Sequence, residues 1–342
     1  KRMHAGVSED NSAVKMLIAE ARLAMRFNHP NIAASFELGC HDGSYYILME
    51  YVDGLDLSAV ARLAESLEER MTPSACAFSA LGVARALSHA HDLAGDDGKR
   101  LGVVHRDVSP QNILVNRRGE LKLIDFGVAK VATRIQQTMA GVIKGKYSYM
   151  SPEQASAETI DGRSDVFSLG ICLHEWLTGQ PLFRGPNLLS PFAILLAVRE
   201  GVIPRVDEVV PEIDPALGDI VAQCLERDVE ARFGSAAEVS DALEAWLDEH
   251  APGYGPDALV AYIDDIASRA PHGTVPQRSL ATPPLSKMLS SEFAPSDLSV
   301  VARSPLELPR RSRRPGALGS MPAAAVSVSD LQRSGVQRTH RP

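Results

Sequence analysis

Apolar residues recur at helical spacing between residues 12 and 27, through Val14, Leu17, Ile18, Leu23 and Met25, and predict one amphipathic helix. The His29-Pro30 step ends it, because the residue before proline is pushed out of the helical region. Two strand-like runs follow, 32–38 and 45–52, joined by the turn signal His41-Asp42-Gly43. Asp53-Gly54 then reads as a breaker. Beyond it the periodicity is mainly helical. Residues 73–92 make a long apolar-periodic stretch opened by Pro73, and 94–100 form a polar loop. Short apolar runs at 101–104 and 121–124 flank polar segments, and 103–115 reads as strand, polar loop, strand. Helices are predicted at 164–178, 191–200, 215–226 and 235–249, the last opened by a Ser235/Glu238 capping box. Residues 256–269 suggest one more.

From about residue 270 the pattern fades. Residues 271–342 are rich in Pro, Ser, Arg and Ala, with a basic cluster at Arg310, Arg311, Arg313 and Arg314, and read as a disordered tail. Charge sharpens the division. The net charge is −8; residues 252–342 hold 11 Lys/Arg and 7 Asp/Glu (+4), leaving −12 on the preceding body. An acidic body argues against nucleic acid as a partner, which requires a basic footprint. Cys40, Cys76, Cys172 and Cys224 form no C-x-x-C pair, so neither a zinc site nor a disulfide framework is indicated. No run of 18 apolar residues predicts a membrane span, and no signal peptide is evident, so a cytoplasmic location is expected. The first residue is Lys, which is read as a sign of a fragment.

The chemistry concentrates in residues 103–127. Asp107 and Asn112 sit in the polar loop of VVHRDVSPQNILV, and Asp125 follows the apolar run that ends in LIDFG. Oxygens delivered from neighbouring strand ends can share a magnesium ion, leaving another carboxylate to orient an attacking hydroxyl. That is equipment for phosphoryl transfer, which needs metal to neutralise the phosphates and an acceptor for the hydroxyl proton. The competing reading is that these are turn residues capping strands.

The order H-R-D-x-x-x-x-N then D-F-G, in His105-Arg106-Asp107, Asn112 and Asp125-Phe126-Gly127, resembles the signature of the protein kinase family. The resemblance implies an α+β, two-lobed kinase-like fold with an incomplete N-lobe sheet and a mainly helical C-lobe. Its segments would be 1–50 (partial N-lobe), 51–53 (hinge), 54–250 (C-lobe) and 251–270 (possible extra helix). It implies Asp107 as base, Asn112 and Asp125 as Mg2+ ligands, ATP as phosphate donor and proteins as substrates. Lys1 and Glu20 resemble the ATP lysine and its helix glutamate, although Lys1 also reads as a mere terminal residue. YYILMEYVDG resembles the strand entering the hinge: Met49 would guard the adenine pocket, the backbone of Glu50 and Val52 would bond adenine, and Leu114 would pack beneath the ring. An ordinary buried strand remains the alternative there.

Ser151-Pro152-Glu153 resembles the family's A-P-E, Asp165 the aspartate bracing the catalytic loop, and Arg232 the arginine pairing with that glutamate. In the activation segment 128–150, Thr133, Thr138 and Ser148 are candidate phosphorylation sites, with Arg106 as a receiver of phosphate; ordinary loop hydroxyls are the alternative. Three departures stand out. No glycine-rich loop precedes Lys1, so the chain is read as truncated and is expected to bind ATP weakly as given. Ser109 stands where serine/threonine kinases usually have lysine, and Lys146 where they commonly have threonine. Lys144 or Lys146 is the expected source of the missing charge. Pro110 and the S-P-Q-N ending favour serine/threonine substrates. A pseudokinase acting as a scaffold and a small-molecule kinase are the competing functions.

Overall fold

The computed structural model describes residues 18–19, 21–41, 44–126, 147–183, 185, 188, 190–271 and 273–274. Residues 18–19 and 21–24 are helical, and a turn at 25–26 stops the helix just ahead of His29-Pro30. Strands β1 (Ser35–His41) and β2 (Ser44–Met49) pair antiparallel, with His41 opposite Ser44. β1 begins three residues later than the apolar run predicts. Residues 31–33 pair elsewhere: Asn31 O accepts from the Leu123 amide at 2.8 Å and the Ala33 amide donates to Leu123 O at 3.0 Å. A small apolar cluster of Ala21 and Ile47, with Leu38 and Tyr45, lies between the helix and this hairpin.

The larger core lies downstream. Asp53-Gly54 is no simple breaker, since Gly54 opens β3 (Gly54–Asp56), which pairs antiparallel with β4 (Ile113–Asn116), itself paired with β5 (Leu121–Leu123). Residues 101–109 contain no strand; Leu101 is exposed while Val103 and Val104 are buried. The short apolar run there packs a loop, which period-2 reasoning cannot distinguish from a strand.

The helices are α1 (Leu57–Glu65), α2 (Pro73–His91), α3 (Pro152–Ala155), α4 (Gly162–Thr178), α5 (Pro191–Glu200), α6 (Val206–Val209), α7 (Pro215–Cys224), α8 (Ala236–His250) and α9 (Pro256–Arg269). Several start with an oxygen-bearing cap followed by proline: Thr72-Pro73, Ser151-Pro152, Ser190-Pro191 and Asp214-Pro215. The cap oxygen satisfies an orphan amide, and proline has no N–H to lose in the first turn. The expected Ser235/Glu238 box closes on one side only. Ser235 accepts from the Glu238 amide, but the Glu238 carboxylate takes the Gly234 amide at 2.9 Å. A complete box forms instead at Ser151 and Gln154. α4 is apolar almost all round, with Phe167, Leu169, Leu173 and Trp176 buried, as expected of a helix enclosed on every side. It ends at Gly179, whose φ of 70° suits a residue without Cβ. α9 folds back onto α1 and α2, and the β4–β5 turn meets its start at Gly119, where a Cβ would lie 2.1 Å from Pro256 O. Among the described residues no helix is long and apolar enough to cross a membrane.

Candidate active site

Asp165, fully buried on α4, sets the backbone of the HRD loop. Its Oδ2 accepts from the His105 amide at 2.7 Å and its Oδ1 from the Arg106 amide at 2.8 Å. His91 Nε2 also lies 2.8 Å from Oδ2, and since a carboxylate only accepts, that nitrogen carries the proton. Arg106 has a φ of 66°, the left-handed region that a side-chain-bearing residue enters at a cost. Charge-assisted bonds donated by its own amide and that of His105 to one carboxylate hold it there.

The His105 ring fixes the next turn. Its Nε2 lies 3.0 Å from Ile124 O and therefore donates; its Nδ1 is left to accept from the Asp107 amide at 3.2 Å. Phe126 packs on His105, with ring centroids 4.6 Å apart, and on Phe27 at 4.3 Å. A hydrogen bond and a ring contact from His105 thereby join the HRD loop to the DFG segment.

Asp107 is buried, and Asn112 faces it. Asn112 Nδ2 donates to Asp107 Oδ2 at 2.8 Å and to Asp107 O at 2.7 Å. The amide nitrogen being committed to Asp107, the oxygen of Asn112 is the atom turned the other way. Ile124 donates its amide to Asn112 O at 2.9 Å, so Asp125, the next residue, is carried in beside Asn112. Asp125 has a φ of 61°. An amide oxygen beside a carboxylate is a hard-oxygen donor pair of the kind Mg2+ accepts, with water and phosphate completing its shell. Ser109 is buried, and its carbonyl accepts from the Asn112 amide at 2.9 Å.

Met49, at the end of β2, lines a cavity of about 30 Å³ with Phe27, Ile47, Leu123, Asp125 and Phe126. The Glu50 amide donates to Ala34 O at 2.7 Å, which narrows its expected adenine contact to the carbonyl. Along β4 the flanking Ile113 and Val115 are buried while Leu114 is half-buried, so Leu114 occupies the opposite face, in register with Lys122 on β5. Lys122 was not anticipated. A lysine between two leucines in a three-residue strand looks like a solvated position, yet its ammonium reaches the Glu50 carboxylate at 3.0 Å.

Ser148 requires a correction. Its hydroxyl is fully buried and donates to Phe183 O at 3.1 Å, so in this fold it is not presented to a phosphate donor. Ser148→Ala is expected to cost about 1 kcal/mol through the lost buried bond and to leave phosphate incorporation unchanged, checked by denaturant unfolding and phosphopeptide mapping. Lys1, Glu20, Gly127, Thr133, Thr138, Lys144 and Lys146 lie outside the described residues, as does most of the tail.

Glu153 and Arg232 make a buried bidentate pair, both N–O distances being 2.8 Å. Gln154, on the same short helix, donates to Arg106 O at 3.4 Å. The S-P-E segment is thus tied to the HRD loop as well as to Arg232.

An α+β fold in which a buried aspartate braces the HRD loop and the DFG segment packs against that loop is the architecture of the protein kinase class. A family profile described as the protein kinase domain matches residues 1–244, and the chain belongs to that family. It is 38% identical over 263 residues to the tyrosine-protein kinase MasK of Myxococcus xanthus, covering 77% of this chain and 40% of that protein. It is 35% identical over 268 residues to the serine/threonine-protein kinase PknB of Mycolicibacterium smegmatis, covering 75% and 39%. The crystal structure of the Mycobacterium tuberculosis PknI kinase domain superposes with a TM-score of 0.53 at 25% identity, covering 72% and 83%. The chain spans about two fifths of the length of these curated relatives.

Proposed function

We propose that this chain is the catalytic part of a larger protein kinase that transfers the γ-phosphate of ATP to hydroxyl groups of protein substrates. The observation that carries the reading is Asp107, a buried carboxylate oriented by Asn112 at 2.8 Å within the loop braced by Asp165. Asp107 takes the proton of the attacking hydroxyl. Asn112 and Asp125 hold Mg2+, which supplies neutralising charge for the phosphates when bound. Met49 closes the adenine pocket, the backbone of Glu50 and Val52 takes the base edge, and Leu114 lies beneath the ring. Lys1 and Glu20 serve as the phosphate-binding lysine and its partner. Arg106 receives a phosphate at Thr133 or Thr138, and Lys144 or Lys146 supplies charge that Ser109 lacks. The lobes divide at residues 51–53. A scaffold role without chemistry is disfavoured by the presence of Asp107, Asn112 and Asp125 together.

For the acceptor, Pro110 and the S-P-Q-N ending support serine and threonine. The similarity to MasK, which is named a tyrosine-protein kinase, supports tyrosine as a second reading. Phosphoamino-acid analysis of the full-length protein after incubation with Mg-ATP separates them. Phosphoserine or phosphothreonine is the expected product, and phosphotyrosine alone overturns the assignment.

A further inference from the structure

We propose that Lys122 is a positioning residue for the nucleotide, acting through an ion pair with Glu50 that fixes the hinge. The inference rests on the kinase reading above, because the hinge is the segment assigned to adenine. Glu50 is tied down at three points. Its amide donates to Ala34 O at 2.7 Å, its Oε2 accepts from the Ala34 amide at 3.1 Å, and its Oε1 meets Lys122 Nζ at 3.0 Å. The Lys122 side chain is 13% exposed and that of Glu50 28%. A pair this enclosed is poorly screened by solvent, unlike a surface ion pair.

The geometry makes this a constraint on the hinge and not on the lobe as a whole. With its amide and carboxylate both held, the Glu50 Cα is fixed in place, and it bears the carbonyl assigned to the adenine amine. Lys122 shares its sheet face with Leu114, the residue assigned to the underside of the ring. The two adenine contacts from opposite sides of the site, the hinge carbonyl and the floor, are therefore linked by one salt bridge across β5. At the other end of the hinge, Asp53 pairs with Arg117 at 2.8 Å, but those side chains are 51% and 61% exposed. That pair serves as an internal control, being of the same chemistry in high dielectric.

Lys122→Met retains the aliphatic stem and removes the charge. In the full-length protein it is expected to raise the ATP Kd and KM about tenfold with kcat within about twofold, a size typical of coupled neighbours. Lys122→Arg should restore both to within about twofold. Glu50→Gln should match Lys122→Met, and the double variant should be no worse than the poorer single one. Arg117→Ala should leave ATP affinity unchanged. Direct ATP binding by calorimetry gives Kd, peptide phosphorylation gives KM and kcat, and thermal unfolding reports folding. If Lys122→Met fails to fold, Glu50→Gln carries the same expectation. Unchanged ATP affinity in both charge-removing variants, a fall confined to kcat, or additive effects in the double variant overturns the proposal. Failure of this inference leaves the kinase reading intact if Asp107→Asn still abolishes transfer. Loss of that difference would instead remove the reading on which it rests.

Discussion

Asp107→Asn in the full-length protein is expected to lower kcat about 10²–10⁴-fold, the range over which a positioned general base acts. The substitution is close to isosteric. Asn112 Nδ2, which donates to Asp107 Oδ2 at 2.8 Å, can donate equally to an amide oxygen in that place, and its bond at 2.7 Å to the backbone carbonyl of residue 107 does not depend on the side chain. The loop is held by Asp165, which the change does not touch, so the fold and ATP affinity should be retained. What is lost is the negative charge that accepts the hydroxyl proton in the transition state. Single-turnover transfer from Mg-ATP measures the effect, with ATP binding and thermal unfolding as companions. Equal rates for the two proteins would remove Asp107 from the mechanism.

Arg232→Ala is expected to destabilise the fold at pH 7 by about 3–5 kcal/mol, the usual consequence of stripping one partner from a buried ion pair. The Glu153 and Arg232 side chains are 6% and 0% exposed. Burial alone would raise the Glu153 carboxyl, but hydrogen bonds from Arg232 and Ser164, together with the arginine charge, overcome it and hold the group down to about 2 from an ordinary 4.5. Arg232 also donates to Arg163 O at 3.0 Å and to Arg227 O at 3.2 Å, and its guanidinium lies 4.8 Å from the centre of the Phe167 ring. Its removal takes a donor from each of those carbonyls as well.

The pH dependence follows with a definite sign. A carboxylate whose folded-state pKa is depressed contributes stability above its unfolded value, and loses it as pH falls through the folded value. For Glu153 that window runs from 4.5 down to about 2, and a shift of this size corresponds to about 3 kcal/mol. In Arg232→Ala only burial and the weaker bonds remain, so the depression should vanish. The variant should therefore lose less on acidification than the wild-type chain does. Denaturant unfolding at pH 7 and at pH 3 checks both statements. A variant within about 1 kcal/mol of wild type at pH 7 would show the pair to be dispensable.

How much of this was legible beforehand differs by element. The helices 73–91, 191–200 and 256–269 were readable because apolar periodicity is a local signal, reinforced at 73–91 by the opening Pro73. The HRD and DFG residues were readable as chemistry because their order and spacing are specific. The strand expected at the start of 103–115 was not there, and α1 and β3 were not anticipated. The two strands are too short for periodicity to decide, and β3 forms where β4 offers an edge to Gly54; α1 was overlooked although Asp56 caps it and Leu57, Val60, Leu63 and Ala64 recur at helical spacing. Ser148 looked like an exposed loop hydroxyl. The direction it faces depends on Phe183, 35 residues away, and no local pattern encodes that.

The sequence alone determined the family-defining chemistry: a carboxylate, an amide and a second carboxylate in fixed order, and the helical bulk of the chain around them. It did so because catalytic identity lies in residue type and spacing, and helix formation in neighbours three and four apart. Tertiary structure alone decided how the chemistry is held. Asp165 reaches back 59 residues to strain Arg106 into place, His105 takes its tautomer from Ile124, and Lys122 crosses to Glu50 over 72 residues. Those are long-range, directional contacts between charged and polar groups. They exist only once packing has brought distant segments within hydrogen-bonding distance and shut water out.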